Sequence, residues 1–65
     1  MDKAELTYSR AGLPMLLAVP RAAQLLGISR SAAYRLAASG DLPVRRLGGR
    51  VYVVTDKLFD MVEAA

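Results

Sequence analysis

A mainly α-helical fold with one small β-hairpin is what this 65-residue sequence predicts. Three observations carry the prediction. Residues 20–40 read as two short helices around a fixed turn, because Gly27 and Gly40 stand where each helical pattern stops. Two runs rich in β-branched and aromatic side chains, 44–47 and 50–54, are separated only by Gly48 and Gly49. A final apolar pattern at helical spacing, Leu58, Phe59, Met61 and Val62, follows them.

Residues 1–14 show no sustained period, and Leu6, Tyr8 and Leu13 make no stripe. They are expected to form a poorly ordered N-terminal arm ahead of a single folded domain over 15–65. Met15, Leu16 and Leu17 are too apolar to leave in water and are expected to enter the core. The first helix is placed at about Val19–Leu26. Pro20 is tolerated there because N–H groups in a first turn have no helical partner. Gly27 supplies the left-handed residue that ends it. Ile28 anchors the turn, and Ser29 is expected to cap the second helix by accepting from the N–H of Ser31 or Ala32.

Ala22, Leu26, Ile28, Ala33 and Leu36 are spaced to meet in one small core, with Ala23 small where the two axes cross. On the second helix Ala33, Leu36, Ala37 and Gly40 make the inward stripe. Arg30, Ser31, Tyr34, Arg35 and Ala38 face outward at the complementary spacing. This is the helix-turn-helix pattern, which leaves its second helix projecting. The projecting face is polar, aromatic and cationic without a single acid, a surface suited to a DNA major groove.

After Gly40, the Asp41-Leu42-Pro43 turn forbids helix continuation. The Gly48-Gly49 pair then joins two strands into a hairpin, since both residues can take positive φ. Alternation puts Val51 and Val53 on one face and Arg50 and Tyr52 on the other. Leu47 is expected to point inward and Arg46 outward. The result is a wing with a glycine tip and an arginine rim. Thr55 is the expected cap of a last helix, with Asp56 favourable near its positive end. Leu58, Phe59, Met61 and Val62 are expected to pack under the wing as core.

Net charge is +3, but its distribution is uneven. Residues 10–50 hold seven arginines against one acid, Asp41, while the two ends hold two lysines against five acids. A basic centre is a directed surface, and arginine suits phosphates and guanine edges. Sixty-five residues bury only about 60% of the surface of the unfolded chain, so stability should be marginal. The absence of cysteine and histidine removes disulfides, thiolate metal sites and the usual general base. No catalytic residue, metal or cofactor is expected, and nothing here is equipped for enzymatic work. The longest apolar run, 13–19, is broken by Pro14 and far short of the roughly 20 residues a membrane span needs. Asp2 and Glu5 stand where a secretory signal would be basic, so a cytoplasmic, nucleoid-associated chain is expected.

Taken in order, Ala22-Ala23, the 26–29 turn, Tyr34, the 40–43 turn, Gly48-Gly49, Asp56 and Leu58 resemble the small excisionase and MerR-like winged helix-turn-helix domains. The likeness runs from Leu17 to Val62. One departure stands out. Ala18 and Arg21 replace a Ser/Thr cap and an early glutamate, which leaves the first helix weakly capped and makes Arg21 a candidate phosphate contact. The resemblance implies double-stranded DNA as partner, with the second helix in the major groove and the wing on an adjacent minor groove or backbone. Arg30, Ser31 and Arg35 are then the base-reading candidates. Arg21, Tyr34, Arg45, Arg46, Gly49 and Arg50 are the backbone or minor-groove candidates.

The function this implies is an excisionase-type recombination directionality factor. Such a protein binds tandem sites, bends DNA and directs an integrase toward excision, with that integrase and neighbouring copies of itself as partners. A small MerR-like regulator on promoter DNA is the alternative. The long dimerisation coiled coil and effector region of larger MerR-like regulators have no counterpart before Ala65, so no small-molecule effector is expected. A third reading, a protein-interaction module that never touches nucleic acid, expects an exposed apolar patch and arginines paired with acids.

Overall fold

The computed structural model describes residues 10–64. Three helices pack on a three-stranded antiparallel sheet, in the order β1 (Leu16–Ala18), α1 (Val19–Leu26), α2 (Arg30–Ser39), β2 (Val44–Leu47), β3 (Arg50–Val54) and α3 (Thr55–Ala64). This is a winged helix-turn-helix. Both helices of the motif end by the same device. At Gly27 (φ 74°) the N–H donates to the Gln24 carbonyl and the next N–H, of Ile28, to that of Ala23. Gly40 repeats the pattern through Ala37 and Leu36, so the last carbonyls of each helix are satisfied by the turn itself. Ser29 caps α2, its hydroxyl accepting from the Ala32 N–H at 3.1 Å. Ala18 gives α1 no side-chain cap.

The helices approach closely because their contact residues are small. Ala22 and Ala33 are fully buried and Ala23 nearly so, joined by Leu17, Val19, Leu42, Val53 and Leu58. Leu26, Ile28, Leu36 and Ala37 pack around that centre. Gly40, placed on the inward stripe by its spacing, is exposed.

The sheet has one strand that periodicity did not predict. Residues 16–18 pair with β3 on the side away from β2, giving the order β1-β3-β2 with Leu17 opposite Val53. Of the three residues expected to enter the core here, only Leu17 does so fully. Leu16 is half-buried and Met15 is 58% exposed.

The register also corrects the wing. Val44 lies opposite Val53, Arg46 opposite Val51, and Leu47 opposite Arg50. Directly opposed residues share a face, so Arg46 stands on the side of Val51 and Val53, while Leu47 stands with Arg50. Leu47 is 54% exposed rather than inward. Val44 and Leu47 have opposite parity in a strand, and only the first packs against the core.

Thr55 is a fully buried tie. Its N–H donates to the Met15 carbonyl at 3.0 Å and its hydroxyl donates to the Pro14 carbonyl at 2.6 Å. The hydroxyl therefore fastens the chain before β1, a different task from the cap expected of it. On α3 only Leu58 among the expected core residues is buried. Phe59 is half-buried, and Met61 and Val62 are exposed. Leu25, Leu26, Leu58, Phe59 and Val62 instead line a shallow apolar groove between α1 and α3.

The expected N-terminal arm falls largely on residues 1–9, outside the described residues. Its remainder begins with a tight turn at Arg10–Gly12, where Ala11 takes a left-handed conformation (φ 58°). Arg10 grips α3 through three carboxylates, Asp56, Asp60 and Glu63, and its guanidinium carbon stands 5.6 Å from the centre of the Phe59 ring. The hydrogen bond to Asp60 raises the Arg10 pKa above its ordinary value; desolvation opposes it, and the charges of Asp60 and Glu63 add to the rise.

Candidate nucleic-acid interface

Arg10 belonged to the basic centre by sequence position, yet it faces the acidic side of α3. The other six arginines are all exposed. Among the described residues every ion pair is made by Arg10, so Arg21, Arg30, Arg35, Arg45, Arg46 and Arg50 hold none there. Among the described residues, the paired arginines expected of an interaction module are found only at Arg10. The exposed apolar residues it expects do occur along the α1–α3 groove.

The helical candidates come from α2 and the start of α1. Arg30 occupies the first turn of α2, and Ser31, Tyr34 and Arg35 follow on the same side. All four are exposed, Tyr34 to 50%. Arg21 lies in the first turn of α1, with a long contact of 3.4 Å to the amide oxygen of Gln24. Neither first turn contains an acid. Each helix therefore presents its positive end beside an arginine, an arrangement relieved by an anion.

Three adjoining depressions tie these residues to the wing. Arg21, Gln24 and Arg30 line the first, together with Ala18 and Pro20 at the head of α1. Ala18 and Pro20 also border the second, where Tyr34 meets Arg50 and Tyr52. Tyr34 lines the third as well, facing Arg46 across Ala38 and Val51. Tyr34 is thus the hinge of the surface, flanked by Arg46 of β2 and Arg50 of β3. The corrected register accounts for Arg46, which shares the face of Val51; Arg50 borders Tyr34 from the other face of β3.

Ser31, Arg35, Arg45 and Gly49 are exposed but border none of these three depressions. Arg35 follows one residue after Tyr34 on the outer face of α2. Arg45 shares the opposite face of the sheet, beside Tyr52. Gly49 forms the hairpin tip with φ 79°. Gln24 escaped the sequence reading. Its position between Arg21 and Arg30 becomes visible only once the two helices are set against each other.

A profile of the family described as the helix-turn-helix domain matches residues 16–65. The chain belongs to that family, one of DNA-binding domains that includes excisionase-like small DNA-binding proteins. Double-stranded DNA is the partner that membership implies. The match opens at the first residue of β1 and takes in all three helices and all three strands. No curated protein and no solved structure matches the chain significantly.

Proposed function

We propose that this chain binds duplex DNA sequence-specifically, with α2 in the major groove and the β2–β3 wing on an adjacent minor groove or backbone. The observation that carries the reading is the acid-free surface running from Arg30 through Tyr34 to Arg46 and Arg50, without an ion pair among the described residues. Arg30, Ser31 and Arg35 read base edges. Arg21, Tyr34, Arg45, Arg46, Arg50 and the N–H of Gly49 hold phosphates or the minor groove. The biological role is that of an excisionase-type recombination directionality factor. It binds tandem sites beside an attachment core, bends them, and directs an integrase toward excision.

The resemblance to excisionase and MerR-like winged domains supports that role, as does membership of a family that includes excisionase-like small DNA-binding proteins. Duplex titration over a range of salt tests the DNA reading. With three to five phosphates neutralised per molecule, log affinity should fall with log salt at a slope of roughly −3 to −5. A flat response contradicts it. Footprinting on the surrounding DNA tests the role: tandem protection beside an attachment core supports it, and protection confined to a promoter favours the small regulator instead.

A further inference from the structure

We propose that Leu47 is an apolar wedge, carried by the wing into the DNA minor groove at a flexible base step. The inference rests on the duplex-binding reading above and names the device by which the wing bends DNA. Leu47 and Arg50 form the last pair before the Gly48-Gly49 turn, so they share a face at the tip of the hairpin. Leu47 is 54% exposed and lies outside the group packed on the core.

A lone exposed leucine is ordinary on a protein surface. This one is set apart by its surroundings. Leu25, Met61 and Val62, also exposed, lie on α1 and α3, where an apolar groove runs between the two helices. Leu47 stands among Arg45, Arg46 and Arg50, all exposed and none ion-paired among the described residues. Arg50 in turn borders the depression that Tyr34 of α2 shares, so the base of the tip adjoins the surface of the projecting helix.

The tip is also slim. Gly48 (φ 60°) and Gly49 (φ 79°) carry no side chain, and beyond their immediate chain neighbours no atom lies within 4 Å of where a Cβ would stand on either. A minor groove about 6 Å wide admits such a tip where a bulkier turn would be kept out. An apolar side chain entering there separates two base pairs and kinks the duplex by roughly 20–90°. Pyrimidine–purine steps unstack most easily, so the favoured partner is a duplex with a TA or CA step under the wing. The flanking arginines then neutralise phosphates on either side.

The probe is a duplex enriched from a randomised library by the unaltered chain. It carries end labels for energy transfer and 2-aminopurine at the step under the wing. Leu47→Ala should weaken binding by about tenfold, remove most of the bend and quench the 2-aminopurine signal. The salt slope should not move, because no charge is lost. Leu47→Met should keep both bend and signal, and Leu25→Ala, on the far groove, should change neither. If Leu47→Ala bends the same duplex as far as the unaltered chain, the wedge is overturned while the DNA reading stands. If the unaltered chain shows no salt-dependent duplex binding, the DNA reading itself falls.

Discussion

Val53 is the residue on which the sheet and the helices depend together, and replacing it by alanine tests the fold directly. It is fully buried on the central strand, between Leu17 of β1 and Val44 of β2. Val53→Ala removes two buried methyl groups, each worth about 0.8 kcal/mol. A residual cavity of about 40 Å³ at about 24 cal/mol per Å³ adds about 1 kcal/mol. The expected loss is therefore about 2.5 kcal/mol. A domain of this length holds only about 3–10 kcal/mol of stability. Each kcal/mol moves the midpoint by about 4–8 °C, so Tm should fall by about 10–20 °C. Thermal and urea unfolding followed by circular dichroism measure this. Leu47→Ala is the matched control: an exposed side chain should change stability by no more than about 0.5 kcal/mol. A loss below about 1 kcal/mol for Val53→Ala, or an equal loss for both variants, would refute the register.

Thr55→Val keeps the buried volume and removes the hydroxyl that holds the Pro14 carbonyl; unfolding should show a loss of about 1 kcal/mol, and no loss would mean the tie is idle. Arg10→Ala leaves Asp56, Asp60 and Glu63 along one side of α3 without the guanidinium they share. Tm should fall, by less at high salt, while the salt slope of DNA binding stays where it was. Arg35→Ala should cost about 1–3 kcal/mol on the preferred site and relax base preference, whereas Arg50→Ala should weaken all duplexes alike. Competition binding against altered sites checks this pair, and the reverse pattern would exchange the roles of helix and wing.

The parts of this fold that were legible in the sequence are those settled over a few neighbouring residues. The bounds of α1, α2, β2 and β3 follow from Gly27, Ser29, Gly40 and the Gly48-Gly49 pair, each acting on chain within a turn of itself. What escaped depends on residues far apart in sequence. β1 has three residues and no alternation of its own, and it exists because β3 offers an edge. Arg10 looks like one more member of a basic stretch until α3 brings three acids to it. The wing shows the same limit at a finer scale. In the Val-Arg-Arg-Leu strand an apolar residue stands at each end, and the two cannot face the same way. Pairing of Val44 with Val53 decides between them, which sends Leu47 outward and turns Arg46 toward α2. Of the candidate interface, the residue types and their exposure were legible. Their convergence on Tyr34 was not, because it requires α2 and the hairpin to be set side by side.

The central claim is that one continuous face, from the head of α1 across α2 to the hairpin tip, meets DNA. Amide shift mapping of the ¹⁵N-labelled chain during titration with a duplex it has selected tests that most directly. Changes should concentrate at Arg21, Arg30, Ser31, Tyr34 and Arg35, and from Arg45 through Arg50, with α3 quiet. Changes centred on Asp56, Asp60, Met61 and Val62, with α2 unmoved, would contradict it.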